Sequence, residues 1–138
     1  MPAEFTFQSV TFSLAEQLQE QITEAKVVKA FNNIPMEVFE LAPNNLQQYK
    51  VADLIAGDDA TARGVVRELS KALGFDATDT GALIRARFLE AQADFLRYML
   101  IQEIRPDGSF SIVGTPDASN SRLGGREATT LGELKQNS

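Results

Sequence analysis

The side chains available for chemistry are carboxylates, lysines, tyrosines, serines and threonines, because the 138-residue sequence contains no His, no Cys and no Trp. Without Cys there is no thiolate nucleophile, no disulfide framework and no Cys-ligated zinc or iron–sulfur site. Without His the commonest general base and transition-metal ligand is missing. The remaining kit suits hard cations or glycoside hydrolysis by paired carboxylates. Two acidic groups stand out, Asp58-Asp59 and Asp76 with Asp79. Both fall where helix N-caps are expected, and capping accounts for them without catalysis. Glu37 and Glu40 flank a short apolar segment and are expected to face water. Asp117-Ala-Ser-Asn-Ser lacks the Gly and Glu of a calcium loop, and no P-loop, dinucleotide fingerprint or nucleophile elbow occurs. The expectation is therefore a non-enzyme with no catalytic residues, no metal ligands and no cofactor.

Charge and apolar patterning point instead to protein contacts. The net charge is -6, with nine acids and three bases in residues 1–62 and ten of each in residues 63–138. Glu16, Glu20 and Glu24 recur at a spacing of four, and Arg63, Arg67 and Lys71 do the same farther on. If both segments are helical, an acidic and a basic stripe result, complementary within the fold or between stacked copies. A helix expected from Thr78-Asp79 to about Leu100 carries two apolar arcs. One holds Ile84, Phe88, Phe95, Tyr98 and Met99, and the other Ala86, Leu89, Leu96 and Leu100. One arc is expected to pack the core and the other a second subunit. The segment from Asp59 into this helix resembles a helix-turn-helix in outline, but the acidic net charge argues against nucleic-acid binding.

These groups need elements to position them. A bulged strand is expected over Glu4–Phe12, followed by the capping box Ser13-Leu-Ala-Glu16 and a helix to about Phe31 with Leu14, Leu18, Ile22, Ala25 and Val28 as its core stripe. Met36–Leu41 reads as a strand, with one helical turn fitting almost as well. Leu46–Ile55 reads as a helix ended by Gly57, and Asp58 or Asp59 caps a helix through Leu73 that Gly74 closes. Pro106-Asp107-Gly108 between alternating apolar residues predicts a hairpin. The fold class is α+β, mainly α: three to four helices on a small antiparallel sheet made of the N-terminal strand and the hairpin. Residues 1–113 form one globular domain, and 114–138 a polar extended arm whose Leu123, Leu131 and Leu134 are contact candidates.

The longest apolar run, Tyr98-Met99-Leu100-Ile101, is too short for a bilayer, and no signal-peptide pattern opens the chain, so cytoplasmic synthesis is expected. Together these features predict a structural subunit of a larger homo- or hetero-assembly, of the phage virion, tail or neck kind. The alternatives are a regulatory binding module, acting as an assembly chaperone or an acidic mimic of nucleic acid, and a helix-turn-helix DNA-binding protein.

Overall fold

The computed structural model describes residues 11–104 and 107–112. Ser13 caps α1 (Leu14–Gln21) through the full capping box: its Oγ accepts from the Glu16 N–H at 3.1 Å, and Glu16 Oε2 accepts from the Ser13 N–H at 2.8 Å. The helix stops at Gln21 and does not reach Phe31. The Gln19 side chain ends it by gathering the following turn, donating to the carbonyls of Ile22 at 2.9 Å and Ala25 at 2.7 Å and accepting from the Val27 N–H at 3.0 Å. Val28 therefore lies in β1 (Val28–Lys29), and the expected core stripe is not core: Leu14, Leu18 and Ile22 are exposed, while Ala15 faces inward.

Beyond β1 the chain forms a 3-10 turn (Met36–Glu40) in place of the expected strand, then α2 (Pro43–Tyr49) with Pro43 in its first turn. Lys50, left-handed at φ 51°, turns the chain into β2 (Ala52–Gly57). The expected helix over Leu46–Ile55 is thus half helix and half strand: Val51–Ala56, apolar apart from Asp53, is short and carries no helical period. Asp59 caps α3 (Ala60–Ala72), and Leu73 and Gly74 close it as expected. The chain returns as β3 (Asp76–Asp79), passes a 3-10 turn (Leu83–Arg85) and enters α4 (Ala86–Ile101).

The three strands lie in the order β1-β2-β3. β1 is antiparallel to β2, pairing Val28 with Gly57 and Lys29 with Ala56. β3 is parallel to β2, from Ala52–Asp76 to Ile55–Asp79. The sheet is therefore mixed, not antiparallel, and β2-α3-β3 is the crossover that a parallel neighbour requires. Asp76 and Asp79 stand in a strand rather than at a helix start, so the last helix begins later than Thr78. The expected N-terminal strand lies at residues outside the described ones, as do Pro106 and the arm from Gly114. The described part of the expected hairpin adds to β2 instead: Phe110 O accepts from the Ala52 N–H at 2.8 Å, and Ser111 bridges Val51.

α3 packs on β2 and β3, and α4 packs on β2. One core cluster joins Ala15, Ala56, Leu83, Ala86 and Leu89, and a second joins Ile34, Leu46, Val51 and Phe75. The two arcs of α4 separate cleanly. Ala86, Leu89 and Leu96 are buried, whereas Phe88 is 72% and Phe95 54% exposed.

Two glycines give opposite outcomes on substitution. At Gly74, φ is +99° and an added Cβ would stand 2.6 Å from Pro43 O, so Gly74→Ala is expected to destabilise the protein by more than ~1 kcal/mol in denaturant unfolding. Gly64 lies within α3 with nothing within 4 Å of an added Cβ, and Gly64→Ala is expected to stabilise it by ~0.5–1 kcal/mol in the same measurement.

Candidate functional site

The start of α1, β1 with its following loop, and α4 enclose a cleft of about 640 Å³. Ile34, Leu96, Ala93 and Leu100 supply apolar lining, and Lys29, Asn32, Arg87 and Glu90 supply polar groups. That size and mixture suit a ring-sized organic ligand with a polar edge.

Each polar wall has an identifiable cause. Glu16, already fixed by the capping box, takes a two-pronged pair from α4: Arg87 Nε donates to Oε2 at 3.0 Å and Nη2 to Oε1 at 2.9 Å. This pair, aided by Ser13, lowers the Glu16 carboxyl to about 2 and raises the Arg87 guanidinium further. Arg87 also lies over the Phe12 ring, 5.9 Å from its centroid. Deeper in the cleft, the Lys29 side chain is only 20% exposed and its ammonium stands 4.0 Å from Glu90 Oε1, the outer limit of an ion pair. Glu90 Oε1 accepts from the Leu14 N–H at 2.8 Å, while its buried Oε2 has no hydrogen-bond partner. Lys29 and Glu90 are thus less completely matched than Arg87 and Glu16.

The loop wall is held from beneath. Asn32 Nδ2 donates to Leu89 O at 3.1 Å, tying the loop to α4. Buried Asn33 substitutes for a strand neighbour, donating to Ala52 O at 2.7 Å and accepting from the Leu54 N–H at 3.3 Å. Phe31, left-handed at φ 59°, gives its N–H to Asp53 Oδ1 at 2.6 Å.

The other end of β2 is occupied by acids. Asp58 Oδ1 accepts from the Leu83 N–H at 3.0 Å, and Asp59 Oδ1 accepts from the Ala62 N–H at 2.7 Å with Lys26 at 3.3 Å from its other oxygen. The Ala62 bond, with help from Lys26, lowers the Asp59 carboxyl. Burial raises the Asp79 carboxyl, but the Gly81 N–H and Arg63 outweigh it and the net shift is downward. The capping reading therefore holds for Asp59; Asp58 is not a cap residue but takes the Leu83 N–H from a distance, tying the end of β2 to the turn before α4.

The residues singled out from sequence disperse. Glu16 is paired with Arg87 of the cleft wall, Glu20 is exposed on α1, and Glu24 is past the helix end, so the acidic stripe is broken. The two stripes do not pair with each other: Arg63 binds Asp79 at 2.9 Å and Lys71 binds Glu68 at 3.3 Å. Arg67 is exposed on α3. Leu89 and Leu96 are core, Ile84, Phe88 and Phe95 are exposed, and Tyr98 is half-buried. Leu123, Leu131 and Leu134 lie outside the described residues. Sequence reasoning missed Lys29, Asn32, Asn33 and Asp53. The one available signal was Asn32-Asn33-Ile34-Pro35, a polar and Pro-containing segment just past the expected helix end at Phe31. Among the described residues no three His, Cys, Asp or Glu side chains converge as a metal site, and no helix is long and apolar enough to cross a membrane.

No family model matches the sequence. It is similar to two curated proteins, both reductases by name. One is the metalloreductase STEAP3 of Rattus norvegicus, 37% identical over 79 residues, which are 57% of this chain and 16% of that protein. The other is the F420-dependent NADP reductase of Methanocaldococcus jannaschii, 36% identical over 80 residues, which are 57% of this chain and 34% of that protein. The chain thus spans about a third or less of the curated relatives it matches. A solved structure described as an F420-dependent NADP-reductase from Arthrobacter sp. FB24 superposes with a TM-score of 0.66 at 30% identity, covering 75% of this chain and 47% of that one.

These similarities point to an oxidoreductase and overturn the expectation of a non-enzymatic structural subunit of a phage particle. The inference from missing His and Cys failed for a physical reason. In hydride chemistry the reactive atoms belong to the cofactor, and the protein needs only to bind, orient and desolvate.

The Glu16–Arg87 pair carries a pH signature. Because the folded Glu16 carboxyl titrates at about 2, below its ordinary 4.5, its contribution to stability is complete above 4.5 and is lost as pH falls toward 2. The thermal unfolding midpoint is expected to drop through that window, and Glu16→Gln is expected to flatten the drop, as calorimetry at stepped pH will register.

Proposed function

We propose that this chain forms part of an oxidoreductase of the NADP-reductase kind, with the cleft between the β1 loop and α4 receiving the ring-bearing part of an electron carrier. The observation that carries this reading is the superposition, at 30% identity over 75% of the chain, on a protein described as an F420-dependent NADP-reductase. The archaeal relative bears the same name.

The fit to NADP is uneven. A dinucleotide diphosphate seeks a Gly-rich turn and bare N–H groups at a helix start. In the β2–α3 turn those positions hold Asp58 and Asp59: the Asp59 carboxylate already takes the Ala62 N–H at the start of α3, Asp58 is turned to the Leu83 N–H, and both would repel an anion. The described residues thus do not fit the diphosphate there, whereas the cleft fits a flat ring. Hydride transfer is the chemistry a nicotinamide supplies when bound. In this reading Ile34, Leu96 and Leu100 exclude water from the ring, Lys29 meets an anionic or carbonyl group at its edge, and Glu90 meets a donor. Arg87 and Glu16 fix the rim between α1 and α4.

The test is NADPH oxidation followed by loss of reduced-nicotinamide absorbance with F420 as acceptor, alongside equilibrium dialysis of each compound. Binding of F420 or NADPH is expected, weakened roughly tenfold by Lys29→Ala, the scale of one lost charge-assisted hydrogen bond. A folded protein that binds neither compound at millimolar concentration overturns the reading.

A further inference from the structure

Asp53 is the second residue of β2 and has no exposed surface, yet it is a carboxyl group, and nothing in the chemistry above uses it. Burying such a group is costly unless its oxygens find partners. One oxygen has a short bond, 2.6 Å from the Phe31 N–H. The other, Oδ2, has none, and neither does the equally buried Ser70 Oγ on α3. Burial raises the Asp53 carboxyl, and the nearby Ser70 hydroxyl and the Phe31 N–H only partly offset it. A hydrogen bond between Oδ2 and the Ser70 hydroxyl would match both orphaned atoms and leave Oδ1 to the Phe31 N–H.

The partner of that bond is unusual. The β1–β2 ladder contains only two residue pairs and ends before Phe31. Phe31 has φ 59°, the left-handed region that a bulky side chain disfavours. Leaving the ladder frees the Phe31 N–H, which must then be matched in the interior. The residues that follow, Asn32, Ile34 and Pro35, line the cleft. Asn33 anchors the far side of the same turn on Ala52 and Leu54, the two neighbours of Asp53 in β2. Three consecutive residues of β2 thus hold the cleft wall, and Asp53 holds its strained corner.

We propose that Asp53 is a positioning residue for the cleft: by accepting the Phe31 N–H it fixes the left-handed turn that delivers Asn32 to the cleft wall, without itself touching ligand. The functional consequence rests on the cleft being the ligand site proposed above. The positioning itself does not.

The test compares wild type with Asp53→Asn, which keeps an acceptor for Phe31 and gains a donor for Ser70, and with Asp53→Leu, which keeps the bulk and loses both. In wild type, NMR is expected to show a downfield Phe31 amide with through-hydrogen-bond coupling to the Asp53 carboxyl carbon. Asp53→Leu is expected to lower the exchange protection of the Phe31 amide roughly tenfold. It should also shift the Asn32 side-chain amide signals while leaving the amides of β3 and α3 protected, and Asp53→Asn should restore both. With F420 and NADPH as probes, affinity is expected to fall in Asp53→Leu and recover in Asp53→Asn. Absence of the coupling in wild type overturns the proposal even if Asp53→Leu does not fold. So does unchanged Asn32 and Phe31 behaviour in Asp53→Leu, or failure of Asp53→Asn to rescue. If the NMR outcomes hold and neither probe binds wild type, the functional reading fails and the positioning role stands.

Discussion

β2 is enclosed on every side, and the rest of the structure follows from satisfying it. Ala52, Asp53, Ile55 and Ala56 are all 0–1% exposed, with α3 and α4 both packed on the strand. No water is available to the backbone groups of such a strand, so each must be matched from within. β3 serves one edge, and the Phe110 carbonyl takes the Ala52 N–H. Along the other edge β1 contributes only two pairs, and the side chain of Asn33 completes the task. The Gly57 N–H is taken by Gly81 O, which draws the turn before α4 against the end of the strand. The bonds that satisfy β2 are also the bonds that shape the cleft.

The readable parts of this fold were those whose physics is local. The Ser13–Glu16 capping box, the Asp59 cap and the Gly74 stop each depend on atoms within a few residues, and each forms. The unreadable parts were decided by distant partners. Val51–Ala56 and Asp76–Asp79 become strands because they pair with each other across a helical crossover, and no spacing within either segment announces that register. The first helix fails differently. Its apolar period runs on to Val28, but Gln19 offers the backbone of the next residues a competing set of partners, and the chain leaves the helix to take them. The apolar arcs of α4 were legible because each rests on period alone, and one does form core while the other remains exposed.

The cleft was illegible for a related reason. Lys29, Asn32, Arg87 and Glu90 come from segments far apart in sequence, and none belongs to a motif with fixed spacing. The composition then steered the functional argument the wrong way. A chain lacking His and Cys lacks the commonest acid–base group and the thiolate and imidazole metal ligands, which narrows hydrolytic and metal chemistry to what carboxylates can do. That narrowing has no force for a reaction whose electrons travel on a bound carrier, where apolar walls and a few oriented charges suffice.

The two ends of β2 differ in what they could offer a ligand. In sheets with parallel crossovers, ligands ordinarily gather beyond the carboxyl ends of the strands, where helix N-termini offer unpaired N–H groups. Here Asp58 and Asp59 stand at that position, and Asp59 binds the Ala62 N–H itself, so two negative charges and one occupied amide oppose an anion there. On the β1 side the balance is reversed. The strand ends after two residues, Phe31 turns left-handed, and the backbone that would have extended the sheet instead opens toward α4. The same event that shortens the ladder creates the concavity beside it. The buried carboxylate of Asp53 and the buried amide of Asn33 take up the backbone groups left where the ladder ends.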